Sequence, residues 1–389
     1  MLNVTIASVV VSDCTLREGE QQPGIVLDTT AKVRIATLLA RLGVRRAEIG
    51  TPAVSEMERE AISAITRLNL IPETIAVCRA NPRDVDLAAE CGVWGVVISS
   101  PVSPFQLGGK LEWSIDEMIG RAMEAHEQAR LRGLVSFASA YDTFRTPWRS
   151  LKAIYGRLSR LGTLGGVRMV DTVGVARPEA VRRLTRRIRA EFGLPLEAHF
   201  HDDFGLAMAN AIAAVGAGCE AISSSVAGVG ERAGNVPTEE IVAALEVLYG
   251  IRTGIRLEEL GPLSREIVEV LAVPTAHQKA IVGLNAFRHV AGLSVGGYLK
   301  DPLAAQPIVA EAVGLRSEIV LGKVSGHAAL EHRLARLGIS AAGVDVLALL
   351  ADVKRWSQEN RRLLSDAALL RMLKRQSTPG GNEIGGIEN

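Results

Sequence analysis

Eight short β-branched runs, each followed by an amphipathic stretch, fill residues 9–250, and no other feature limits the fold so tightly. The runs predict strands near Val9–Asp13, Arg46–Gly50, Ile75–Arg79, Gly95–Ser99, Leu134–Ser139, Gly166–Asp171, Leu196–His201 and Ala221–Val226. Between them, helical spacing covers roughly 29–43, 54–69, 82–92, 115–132, 147–162, 177–192, 206–218 and 236–250, several segments opening with Asp, Ser, Thr or Pro and closing at Gly. Eight β-then-α units of this length have the rhythm of an α/β fold of the (β/α)₈ TIM-barrel type. A doubly wound sheet shares that local grammar, so the polar residues decide. Asp13, Arg17, Glu18, Gln21, Ser99, Asp142, Asp171, Thr172, His199, His201, Glu231, Arg232 and Asn235 fall at or just past strand C-termini. In a barrel those ends converge on one mouth.

After Ile251 the alternation stops. Residues 255–272 read as helix, 276–300 as a Gly-rich irregular stretch and 341–374 as helix again. The expected organisation is a catalytic barrel over 1–254, a mainly α-helical lid or dimerisation subdomain over 255–376, and a disordered tail over 377–389.

Lys and Arg number 44 against 43 Asp and Glu, so no global charge draws the chain to nucleic acid or an acidic membrane. A small-molecule partner is expected. The arginine-rich run Arg182–Arg189 alternates with apolar residues as a solvated helix face does. Met1–Val11 lacks a basic lead and reads as a first strand, and no apolar run reaches the ~18 residues of a membrane span. Cys14, Cys78, Cys91 and Cys219 show no C-x-x-C spacing, which suits reduced thiols and a cytoplasmic location.

Two stretches carry chemistry. Glu197-Ala198-His199-Phe200-His201-Asp202-Asp203 ends a strand, where alternate residues share a face, so His199 and His201 point the same way and are a candidate metal-binding pair. Asp13-Cys14-Thr15-Leu16-Arg17-Glu18-Gly19-Glu20-Gln21 crowds four ionised side chains on one loop. A divalent cation and an anionic ligand would offset that crowding.

These stretches, with Gly228-Val229-Gly230-Glu231-Arg232-Ala233-Gly234-Asn235 and Val320-Leu321-Gly322-Lys323-Val324-Ser325-Gly326, resemble the DRE-TIM metallolyases, in particular the homocitrate synthase and isopropylmalate synthase group. The resemblance implies a divalent metal (Mg²⁺, Mn²⁺ or Zn²⁺) held by Glu18, His199 and His201, with Asn235 close by. It implies that Arg17 neutralises a developing oxyanion and that Gln21, Ser139, Thr172, Arg145 and Asn235 meet substrate. The reaction implied is Claisen condensation of acetyl-CoA with a 2-oxo acid, giving a 2-substituted malate and CoA, by an acyltransferase that is a homodimer. A chain of this length is expected to lack the leucine-sensing domain of the longer isopropylmalate synthases.

The resemblance is incomplete. Ser294 stands where the family carries a histidine tied to acid/base chemistry, Tyr141 where a glutamate is expected, Phe137 in place of the arginine for a distal carboxylate, and Ser103 where many members have histidine. Phe137 suits an apolar tail, while Arg145 or Arg168 could meet another anionic group such as a phosphonate. The acid/base role is expected to move to His289, with Tyr141 or Tyr298 as proton donor. A CoA-independent aldolase or lyase, and a non-catalytic relative, are the alternatives these departures leave open.

Overall fold

The computed structural model describes residues 6–376. The expected tail over 377–389 lies outside the described residues. Eight parallel strands close into a barrel in sequence order: β1 (Val10–Asp13), β2 (Arg46–Gly50), β3 (Glu73–Arg79), β4 (Gly95–Pro101), β5 (Val135–Tyr141), β6 (Leu164–Asp171), β7 (Leu196–Phe200) and β8 (Ala221–Ser224). β8 returns to β1 with Asp13 opposite Ser224, which closes the ring.

The helices on the outside are α1 (Thr29–Leu42), α2 (Glu56–Leu68), α3 (Pro82–Glu90), α4 (Ile115–Leu131), α5 (Trp148–Leu158), α6 (Pro178–Phe192), α7 (Ala207–Val215), α8 (Thr238–Ala243) and α9 (Leu260–Leu271). Local chemistry sets their ends. The Asp28, Ser55 and Asn81 side chains accept backbone N–H groups at the starts of α1, α2 and α3, and Ser114 with Glu117 forms a capping box on α4. Gly43 and Gly193 close α1 and α6 in the left-handed conformation. The strands are buried on both faces, as parallel strands under a helical jacket must be. α6 carries its arginines on the outer face, with Val181, Thr185 and Ile188 turned inward. All four cysteines are buried and free, and no helix among the described residues is long and apolar enough to cross a membrane.

The chain divides into two compact units at Thr275/Ala276. That boundary lies past the one at 254/255 drawn from the lost alternation, because α9 packs against α1 of the barrel. In the second unit β9 (Arg288–His289) pairs in parallel with β10 (Glu318–Ile319). Around this pair are α10 (Gly292–Tyr298), α11 (His327–Arg336), α12 (Val346–Asn360) and α13 (Asp366–Gln376). Val295, Leu330, Leu334, Leu349, Val353 and Leu369 form their common core. The helix read over 341–374 is thus two helices, separated by Arg361 in the left-handed conformation.

Candidate active site

Parallel closure brings the ends of β1 and β7 to one mouth, and there the two motifs meet. Glu18 sits on the single helical turn Thr15–Glu18 that follows β1; His199 is on β7 and His201 directly after it. One ligand atom from each of the three lies within 4.8 Å of the others, and all three residues are buried. His199 Nε2 is 3.6 Å from Glu18 Oε1 and 3.4 Å from His201 Nε2.

The electrostatics of the three residues suit a cation. Burial pushes both imidazoles below their ordinary value, with the neighbouring His201, Arg17 and Arg168 adding to the effect on His199 and Arg232 and Arg17 on His201, which falls to about 4. Both rings are therefore neutral near pH 7. His199 Nδ1 lies 2.8 Å from Ser223 Oγ, and the tautomer that donates there turns the Nε2 lone pair toward His201. Glu18 Oε2 and His201 Nδ1 are buried with no hydrogen-bond partner among the described residues. Neutral nitrogen ligands, a carboxylate and unanswered acceptors fit a divalent ion.

Arg17, Glu18, Gln21, Ser139, Tyr141, Thr172, His199 and His201 all line one cavity of about 160 Å³, together with Val77, Val97, Val170 and Arg168. Grooves of about 420 and 390 Å³ adjoin it, the first sharing Arg17, Gln21 and Thr51, the second Ser99 and Tyr141. Arg17 reaches Glu48 Oε2 through Nε at 2.7 Å and also pairs with Glu18. Glu48 is fully buried; burial alone would raise its pKa, but Arg168 and Arg17 more than offset this and hold it low. The Tyr141 phenol is raised by partial burial and by nearby Glu231 and Asp142.

Two candidates on the barrel lie outside the cavity wall. Arg145 does not line the cavity: it grips Asp142 through Nε at 2.8 Å and stacks on the Phe105 ring. Asp142 also accepts Ser103 Oγ at 2.5 Å and donates its N–H to Thr172 Oγ1, so Arg145 serves the turn after β5 rather than an open pocket. Asn235 is buried beside the site, its backbone bridged to His201 and its Nδ2 donating to Val229 O at 3.1 Å, with no part in the cavity wall. His289 belongs to the second unit, stacked on Tyr298 and 3.3 Å from Gln306 Oε1. Phe137 departs from its expected role too. It packs one layer down, against Ile75 and Val97 with the Arg46 guanidinium 4.7 Å over its ring.

Glu48, Glu197 and Ser223 were not among the candidates. A carboxylate between Ala47 and Ile49 inside a predicted strand was the available signal, since a buried strand tolerates a charge only with a partner.

The family model described as HMGL-like matches residues 8–267, and one described as homocitrate synthase post-HMGL domain-like matches 281–361. The homocitrate synthase AksA of Methanopyrus kandleri is 42% identical over 85% of this chain and 83% of its own length. The chain belongs to the HMGL-like family, on its homocitrate and alkylmalate synthase branch. Another relative in the family is the (R)-citramalate synthase CimA of Methanocaldococcus jannaschii, 39% identical over 93% of this chain and 73% of that one. The HMG-CoA lyase of Bacillus subtilis shares the barrel, with a TM-score of 0.63 at 23% identity over 70% of this chain and 96% of that one. At that identity the likeness speaks for the fold alone.

Proposed function

We propose that this chain condenses acetyl-CoA with a 2-oxo acid, as the family's synthases do, to give a 2-substituted malate and free CoA. The acetyl methyl carbon loses a proton to a base and bonds to the keto carbon, the keto oxygen gains a proton, and water cleaves the thioester. The observation that supports this reading most directly is the convergence of Glu18, His199, His201 and Arg17 on one buried cavity at the barrel mouth.

In this reading Glu18, His199 and His201 hold a divalent cation, Mg²⁺, Mn²⁺ or Zn²⁺, which when bound supplies Lewis-acid polarisation of the ketone. Arg17, its guanidinium braced by Glu48, offers fixed donors to the oxygen that gains negative charge. Thr172, Ser139 and Gln21 orient the acid in the cavity they line. Tyr141, on the same wall, delivers a proton. The functional form is a cytoplasmic homodimer. Thiol release from acetyl-CoA with Mn²⁺ across a panel of 2-oxo acids tests the proposal. Release that disappears in Glu18→Ala is the expected result, and silence across the panel would overturn it.

A further inference from the structure

The floor of the cavity is ionic. From the mouth inward, eight side chains alternate in sign: Glu18, Arg17, Glu48, Arg168, Glu197, Arg46, Glu73 and Arg45, each paired with the next. Arg168 is the member that matters for ligand choice. It lies on β6, is only 3% exposed, and lines the cavity below Ser139, its register partner on β5. One of its terminal nitrogens meets carboxylates from two other strands, Glu48 of β2 and Glu197 of β7, the latter at 2.5 Å. Its Nε–H has no partner among the described residues, but the cationic charge is already answered twice.

Charge bookkeeping then restricts the ligand. At neutral pH the ladder holds four carboxylates and four guanidinium groups and is neutral as a whole. The two guanidinium groups in the cavity wall, Arg17 and Arg168, are each answered by two carboxylates, so neither has charge to spare for the tail of a bound acid. Nearby, Asp142–Arg145 cancels within itself, Arg232 is answered by both Asp203 and the cavity-lining Glu231, and Asp13 and Asp171 bring no positive charge. A second anionic group on the acid would be buried uncompensated, which is costly. The tail instead meets Val77, Val97 and Val170. At about 160 Å³ the cavity is below the ~300–1,000 Å³ of drug-sized ligand pockets, which suits a short acid.

We propose that the Glu48–Arg168–Glu197 clamp is the specificity determinant of this site: it closes the cavity with a neutralised floor and selects a short 2-oxo acid with an uncharged tail over dianionic acids. This inference rests on the condensation reading only for the ligand being a 2-oxo acid. It also reverses the expectation that Arg168 receives a distal anionic group.

The test is titration calorimetry on the full-length, Mn²⁺-loaded protein without acetyl-CoA, using pyruvate, 2-oxobutyrate, 2-oxoglutarate and phosphonopyruvate. Binding of the first two at least 30-fold tighter than the last two is expected; equal or tighter binding of either dianion would overturn the proposal, as would failure of all four to bind. In Glu197→Gln, which removes one negative charge from the ladder, the preference should shrink at least fivefold, and an unchanged preference counts against the clamp. If that variant does not fold, the wild-type comparison still decides. Thiol release on the same panel separates the two readings: selective binding without release sinks the condensation reaction alone, and release with a preference for dianions sinks the clamp alone.

Discussion

His199 Nδ1 lies 2.8 Å from Ser223 Oγ, and this one contact between β7 and β8 orients the ring so that Nε2 faces Glu18 and His201. A partner on the far ring nitrogen fixes both tautomer and direction of a ligating imidazole. Ser223→Ala should therefore weaken Mn²⁺ binding by about 10- to 100-fold. His199→Ala and Glu18→Gln should weaken it further. Calorimetric titration of the metal-free protein measures all three, and wild-type affinity in Ser223→Ala would show that the hydroxyl does not orient the ring.

Arg17 joins the triad to the buried ladder through a fork of donors, two of which reach Glu48 Oε2. A lysine would keep the charge and lose the fork. Arg17→Lys is expected to lower kcat by about 100- to 1,000-fold, the usual cost of one preorganised oxyanion donor, with a smaller change in KM. Steady-state thiol release is the readout, and a near-normal kcat in the lysine variant would remove Arg17 from that role.

Stability should depend on His126, far from the cavity. The ring is 2% exposed, with Nδ1 2.9 Å from Ser136 Oγ, and burial lowers its pKa to about 4. The unfolded chain, near 6.5, takes up a proton that the folded chain refuses. Stability is thus fully present above pH 6.5 and is lost as pH falls from there toward 4, by about 2 kcal/mol between pH 7 and pH 5. Urea unfolding of wild type and His126→Leu at both pH values checks this, since the variant should lack that part of the pH dependence.

Gly234 has φ +85°, and a Cβ built there would lie 1.9 Å from the Gly228 carbonyl oxygen. Gly193, with φ +63°, has nothing within 4 Å of the same position. Gly234→Ala should cost about 1–3 kcal/mol or more, whereas Gly193→Asn should cost little, because asparagine tolerates that conformation where space is open. Tm should fall by about 2–4 °C for each kcal/mol lost. Similar Tm values for the two variants would mean that the turn carrying Asn235 relaxes freely.

Much of this was readable before any coordinates. Strand and helix periods, helix caps and glycine stops are local, so the eight-fold alternation and most element limits follow from neighbours in sequence. The placement of Glu18 beside His199 was readable only through motif resemblance, because 181 positions of chain separate them and nothing local joins them.

What the chain order could not reveal is which charges meet. Arg168 looked free to receive an anion, and Arg145 looked like a substrate contact. Closure of the barrel set Arg168 between Glu48 and Glu197, and the left-handed turn at Asp142 drew Arg145 away from the cavity. By itself the sequence determined a (β/α)₈ barrel, a helical second unit and a His-x-His pair at a strand end. Only the tertiary structure decided that the cavity floor is a neutralised ion ladder. The physical reason is that pairing across a barrel depends on strand tilt and register, which are properties of the closed sheet and of no single segment.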